Sequence, residues 1–167
     1  MNFSFVHEFD IDVPSYWKMF LSEPFNVEMY AELKMQKREV LKQEDDGKVF
    51  RRTVYIEPST PIPSWLQSVV KKTAYTEHDT LTWATNSMEV VIETEMMKDR
   101  FKMAGLYTVT PLDGGKRCRR EFKGEVKVAI PLIGGRVEKY MMEQVRDSYD
   151  VASRVTRRWI ANGTAVK

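Results

Sequence analysis

GEVKVAIPLIGGRVE, residues Gly124–Glu138, is the stretch of sequence that indicates the fold most directly. It completes an alternating strand, Lys116–Ile130, which Pro131 ends because proline has no amide hydrogen to donate to a sheet. Gly134–Gly135 then predict a turn, and Arg136–Ala161 has the apolar spacing of a long amphipathic helix. A long helix carried back across an antiparallel sheet can leave a hollow between the two layers. An apolar hollow would bind an apolar small molecule.

The N-terminal part of the chain predicts one strand and two short helices. Residues 2–11 alternate between apolar and polar side chains, the pattern of a half-buried strand. Asp12 is a plausible N-cap with Pro14 in the first helical turn, and Ser22 and Pro24 repeat this signal ten residues later.

The middle of the chain alternates with a period of two, which is typical of antiparallel strands. The predicted strands are Gln36–Glu44, Lys48–Glu57, Lys72–Glu77, Thr80–Thr85, Met88–Glu95, Arg100–Pro111 and Lys116–Ile130. The predicted turns are Asp45-Asp46-Gly47, His78-Asp79, Asn86-Ser87, Lys98-Asp99 and Asp113-Gly114-Gly115. Prolines interrupt the sheet in Pro58–Pro63, and Ser64–Val70 predicts a short amphipathic turn or helix. The element order predicts an α+β domain with its helices on one side of a curved sheet.

Composition is that of an ordinary globular protein. The chain has 167 residues, 43% of them hydrophobic and 30% charged, and its net charge is only +2. This balance argues against a nucleic-acid partner. The lone Cys118 cannot form an internal disulfide, and the N-terminus lacks the pattern of a secretory signal, so we expect a cytoplasmic protein. We expect no cofactor, since the sequence has no recognisable metal-ligand cluster or phosphate-binding loop.

The C-terminal segment GEVKVAIPLIGGRVEKYMMEQV resembles an uncharacterised bacterial family of the START-like superfamily, also called the Bet v 1-like, SRPBCC or helix-grip fold. The segment Ile62-Pro63-Ser64-Trp65-Leu66 is similar to a proline-bearing segment of the same family. PSWLQSVVKKTAYTEH and WATNSMEV resemble, more weakly, the mitochondrial PRELI-type phospholipid carriers. The resemblance implies one START-like domain over residues 1–167, with a curved antiparallel sheet wrapped around one long C-terminal helix. It also implies a lipid-sized cavity between sheet and helix.

We predict a set of ligand-binding residues from the strand and helix phases. They are Phe5, His7, Phe9, Arg52, Tyr55, Trp65, Leu106, Arg120, Phe122, Val126, Met141 and Val145. Periodicity alone does not distinguish a lined hollow from a filled core. Gly105 and Gly124, as bends in the sheet, and ten methionines, as adaptable side chains, favour the hollow.

Two groups within this set have a second interpretation. Trp65, with Lys71 and Lys72 nearby, could make transient contact with a membrane surface during ligand exchange, or the segment could be a cap over the cavity. Arg52 and Arg120 could recognise an acidic ligand head; alternatively both lie at exposed strand ends, or one of them pairs with a local glutamate.

The sequence therefore favours binding or transport of a hydrophobic small molecule, such as a lipid, fatty acid, isoprenoid or polyketide, without catalysis. The alternative is a cyclase- or hydratase-type enzyme that uses the same cavity with His7 as its base. A partner-binding module with an exposed apolar patch is a third, weaker interpretation.

Overall fold

The alternating segments form a seven-stranded antiparallel sheet in this computed structural model, which describes residues 1–68, 70–94 and 100–164. The strands are β1 (Asn2–Phe9), β2 (Met35–Asp45), β3 (Val49–Pro58), β4 (Tyr75–Thr82), β5 (Ser87–Glu93), β6 (Phe101–Leu112) and β7 (Arg117–Val128). Their order across the sheet is β1-β7-β6-β5-β4-β3-β2. The strand β2 lies at one edge, is almost wholly exposed, and shifts register against β3 between Met35 and Lys37 and again between Val40 and Lys42.

Three helices accompany the sheet: α1 (Val13–Leu21), α2 (Glu23–Glu32) and α3 (Gly134–Ala161). Asp12 caps α1, since its Oδ1 accepts a hydrogen bond from the Ser15 amide at 2.9 Å. With 28 residues, α3 is about 42 Å long. It packs against β7, β1 and α2. None of the helices in the described ranges is long and apolar enough to cross a membrane. The predicted α+β helix-grip class is confirmed.

The turn predicted at His78-Asp79 is wrong, because both residues lie within the continuous strand β4. Each pairs with a residue of β3, Thr53 with His78 and Arg52 with Asp79, and each also pairs with β5. Asp79 points inward and forms an ion pair with Arg52 at 2.8 Å. Aspartate favours turns when its carboxylate accepts a hydrogen bond from the local backbone, whereas the carboxylate of Asp79 accepts from Arg52 instead.

Other boundaries differ by small amounts. The glycines predicted as a turn, Gly134–Gly135, are the first two residues of α3. The helix predicted at Ser64–Val70 is a short 3₁₀ helix, Ser64–Leu66. The predicted turn at Lys98-Asp99 lies outside the described residues. Two further 3₁₀ turns, Trp83–Thr85 and Asp113–Gly115, connect β4 to β5 and β6 to β7.

One half of the interior is a packed aromatic cluster between β1, β6, β7, α1 and α3. The rings of Tyr107 and Phe122 stack with centroids 4.1 Å apart. Two glycines that face each other across β6 and β7, Gly105 and Gly124, leave room for these rings. A Cβ on Gly105 would lie 2.3 Å from the Phe122 ring, and a Cβ on Gly124 would lie 2.6 Å from the ring of Phe3. The missing side chains thus allow aromatic rings to lie directly on the sheet.

The junction between β7 and α3 depends on the close approach of Gly134 to the strand. A Cβ at Gly134 would lie 2.4 Å from the carbonyl oxygen of Val128, which is backbone and cannot move aside easily. A Cβ at Gly135 would meet no atom within 4 Å. The two neighbouring glycines therefore have different roles.

We expect Gly134→Ala to lower the free energy of unfolding by about 1–3 kcal/mol, because the methyl group would push α3 away from β7. Gly135→Ala is the matched control, and it should be neutral or stabilise by up to about 1 kcal/mol, since alanine restricts the unfolded chain. Urea unfolding followed by circular dichroism measures both. Equal effects of the two substitutions would contradict the proposed close packing.

Candidate functional site

A cavity of about 540 Å³ lies between the inner faces of the central strands and α3. It lies beside the region that α3 covers: the helix packs mainly on β7 and β1 and, among the described residues, makes no comparably extensive contact with β3, β4 or β5. Much of its wall is apolar. Examples from β5 and α3 are Met88, Val90, Ile92, Met141, Val145 and Ala152. Exposed side chains of both charges mark its rim, namely Glu32, Lys34, Lys72 and Asp147.

Four of the predicted site residues line this cavity. Arg52 is on β3, Phe122 on β7, and Met141 and Val145 on α3. Four others are packed in or beside the aromatic cluster and do not line it: Phe5, Phe9, Arg120 and Val126. For these four the filled-core interpretation fits the geometry, because the aromatic rings occupy that half of the interior.

Two of the predicted residues lie on the outer face of the sheet, and their placement in the cavity is corrected. Leu106 is 40% exposed and pairs with Glu89 and Lys123 on the neighbouring strands. The phase of β6 is hard to assign from sequence because its inward position 105 is a glycine without a side chain. Tyr55 lies between the inward residues Val54 and Ile56 of β3, so it also points outward. Its hydroxyl donates to Glu57 and accepts from Lys72.

Trp65 does not line the cavity, but it packs against Tyr140, which does, and its ring is covered on two sides. Its ring packs edge-on against Tyr140 with centroids 6.0 Å apart. The guanidinium of Arg136 lies 4.1 Å above it. These contacts fix the indole to the N-terminal part of α3, which is the arrangement expected of a cap.

His7 does not line the cavity. Its Nδ1 lies 3.5 Å from Arg120 Nη2, and its Nε2 lies 3.4 Å from Asp150 Oδ1 at the protein surface. Burial, and next the positive charge of Arg120, lower the pKa of His7 below its usual value. The ring therefore bridges the aromatic cluster and the solvent.

The two predicted inward arginines have different partners. Arg120 is fully buried, and its guanidinium donates to the hydroxyls of Tyr149 at 3.0 Å and Tyr16 at 3.2 Å. It also lies 4.1 Å from the centre of the Tyr149 ring, so aromatic faces and hydroxyl dipoles stabilise its charge. Arg52 instead pairs with a nearby carboxylate, since its Nε and Nη2 both donate to Asp79 Oδ2, at 3.0 and 2.8 Å.

Glu77 is a functional candidate that the sequence interpretation missed. It lines the cavity from β4, and the Tyr30 hydroxyl lies 3.5 Å from its Oε1. Burial, with the neighbouring charge of Asp79 adding to it, raises the pKa of Glu77 to about 8. Burial likewise raises the pKa of Asp79, and its ion pair with Arg52 opposes that rise. A signal was present: Tyr75, Glu77, Asp79 and Leu81 alternate in one phase, but the assumed turn at His78-Asp79 divided them.

Comparison with solved structures finds the same fold in proteins of very different sequence. A protein from Thermus thermophilus superposes with a TM-score of 0.67 at 11% identity, covering 98% of this chain and 99% of that one. Zhui aromatase/cyclase from Streptomyces sp. R1128 gives 0.64 at 14% identity, covering 99% and 93%. A START superfamily protein from Mycobacterium smegmatis gives 0.60 at 13% identity, covering 94% and 97%. At these identities the likeness shows the fold alone, and this fold is the START-like fold that the sequence predicts.

A search of curated proteins finds no significant match to the sequence. A family model does match, over residues 4–160. It is described as a protein of unknown function (DUF2505). With a START-like fold and a family match over nearly its whole length, the chain belongs to the DUF2505 family.

Proposed function

We propose that this protein binds a hydrophobic small molecule in the cavity between the sheet and α3, as a carrier or binding protein without catalysis. The observation that carries the proposal is the cavity of about 540 Å³ with a largely apolar wall. This volume lies within the range of roughly 300–1,000 Å³ typical of small-molecule pockets. Each 100 Å² of apolar ligand surface removed from water would contribute roughly 2.5 kcal/mol, less the cost of ordering the ligand.

The enzyme alternative, a cyclase- or hydratase-type reaction with His7 as base, has less support. The aromatase/cyclase with this fold makes such chemistry compatible with the architecture. His7, however, does not line the cavity, and its Nε2 faces Asp150 at the surface. A substrate held in the cavity would be out of hydrogen-bond reach of its proposed base.

Filling the cavity tests the binding proposal. Val90 is buried on the inner face of β5 and lines the cavity, whereas Val91 is 40% exposed on the outer face of the same strand. We expect Val90→Phe to weaken binding of N-phenyl-1-naphthylamine, a neutral apolar fluorescent probe, at least tenfold, because the ring would occupy ligand space. The control Val91→Phe should bind the probe as tightly as the wild-type protein.

A second measurement uses the protein as it comes from cells. Native mass spectrometry should show a co-purified apolar mass on the wild-type protein and on Val91→Phe, and less of it on Val90→Phe. A wild-type protein that carries no such mass and binds no apolar probe would overturn the proposal.

Membrane contact through Trp65 stays a prediction, and its packing favours the cap. Because Tyr140 and Arg136 cover the indole, we expect Trp65→Ala to leave partition onto anionic phosphatidylglycerol vesicles unchanged in a sedimentation assay. The same substitution should lower thermal stability by a few degrees, since it removes buried aromatic contact area. A clear loss of vesicle binding would instead support the membrane role.

A further inference from the structure

The polar part of the cavity wall has an unused hydrogen-bond acceptor. Asp79 is 1% exposed, and both hydrogen bonds from Arg52 go to its Oδ2. Its Oδ1 has no hydrogen-bond partner among the residues that the structure describes. A buried carboxylate oxygen without a donor is costly, so a donor from a ligand in the cavity would be favourable here.

The second group of this wall is a carboxyl that can act as a donor. Glu77 is two residues from Asp79 on β4 and therefore projects from the same face of the strand into the same cavity. Burial and the neighbouring charge of Asp79 raise the pKa of Glu77, which favours the neutral carboxylic acid over the carboxylate at pH 7. Such a group donates one hydrogen bond, while ionised Asp79 only accepts.

The charge balance of the wall disfavours an anionic ligand. Two guanidiniums act on these carboxyls, and each already has a carboxylate partner: Arg52 pairs with Asp79 at 2.8 Å, and Arg38 pairs with Glu23 at 2.7 Å. The lysines on the cavity wall, Lys34 and Lys72, are exposed at the rim, where water screens them. A ligand carboxylate beside Glu77 and Asp79 would lie near negative charge without a cation of its own.

Resting on the binding function proposed above, we infer that the ligand is an uncharged apolar alcohol whose hydroxyl lies between Glu77 and Asp79. The hydroxyl hydrogen is donated to Asp79 Oδ1, and the hydroxyl oxygen accepts from the carboxyl of Glu77. One hydroxyl thus satisfies both groups, which neither an ether nor a carboxylate can do. The apolar remainder of the ligand occupies the space next to α3.

The groups that influence Glu77 come from every element around it. They are Tyr30 on α2, Arg38 on β2, Arg52 on β3, Tyr75 and Asp79 on β4, and Tyr107 on β6. On α3, Asp147 and Tyr149 line the same cavity. Burial raises the pKa values of Tyr30, Tyr75, Tyr107 and Tyr149, so these phenols stay neutral through pH 9. Glu77 is therefore the group on this wall whose ionisation between pH 7 and pH 9 would change the hydroxyl site.

The experiment compares three ligands of equal chain length: 1-dodecanol, dodecyl methyl ether and dodecanoate. Each displaces N-phenyl-1-naphthylamine from the cavity, and the fluorescence gives its affinity. At pH 7 we expect 1-dodecanol to bind at least tenfold tighter than either of the others. Between pH 7 and pH 9 the affinity for 1-dodecanol should fall several-fold, because ionised Glu77 no longer donates and repels Asp79.

Substitutions at position 77 test whether Glu77 causes the preference for 1-dodecanol and its pH dependence. Glu77→Gln keeps an amide donor and should remove the pH dependence, while Glu77→Leu should lower the affinity for 1-dodecanol about tenfold. The decisive quantity for each variant is the ratio of its affinities for 1-dodecanol and for dodecyl methyl ether, because a merely structural role of Glu77 would change both affinities alike and leave the ratio as in the wild-type protein. Glu89→Gln, an exposed position on the outer face of β5, is the matched control and should behave as wild type.

The outcomes separate this inference from the function on which it rests. If neither the probe nor any dodecyl ligand binds, the binding function itself fails. If the probe binds but dodecanoate or dodecyl methyl ether binds as tightly as 1-dodecanol or tighter, the binding function stands and the hydroxyl site is wrong. Unchanged pH dependence in Glu77→Gln would also overturn the hydroxyl site.

Discussion

The position of α3 over only one side of the sheet is the constraint on which the rest of the structure depends. The helix packs along β7 and β1, and its first residue touches the backbone of β7, since a Cβ at Gly134 would lie 2.4 Å from the Val128 carbonyl oxygen. Anchored there, it makes no comparably extensive contact with β3, β4 or β5 among the described residues. The aromatic cluster fills the side that the helix covers, and the cavity occupies the other. The position of α3 therefore accounts for both the packed aromatic cluster and the cavity beside it.

Much of this fold could be predicted from the sequence, because its signals are local. The alternation in β7, the N-cap at Asp12 and the long apolar stripe of α3 each depend on neighbouring residues only. Where a local sequence signal conflicted with a tertiary contact, the tertiary contact determined the secondary structure. Asp79 has the chemistry of a turn residue, yet pairing with Arg52 holds it within a strand.

The candidate site was harder to predict from the sequence. An inward side chain lines a cavity only if no side chain from the opposite layer packs against it, and the sequence does not show which pairs pack. The periodicity predicts inward positions for both Phe9 and Val145, but of these two residues Val145 lines the cavity and Phe9 is packed in the core. The predicted inward orientation of Leu106 was wrong for a different reason. The inward position next to it is Gly105, which has no side chain to show which face of β6 is apolar. Glu77 was missed because a predicted turn separated it from Leu81, with which it shares a face. Treating Tyr75–Thr82 as one continuous strand would have placed Glu77 on the inner face of the sheet, which the two shorter predicted strands did not show.

The edge strand β2 has a consequence for the behaviour of the protein in a crowded solution. An open sheet edge offers unpaired backbone groups to any other extended chain, and addition of a foreign strand there is a common route to aggregation. Here the edge is dense in charge, with Lys37 beside Glu39 at 2.8 Å and Lys42 beside Glu44 at 3.1 Å. Its two register shifts also break the regular spacing that an incoming strand would need. The charged and irregular edge thereby protects the protein from polymerising through its own sheet.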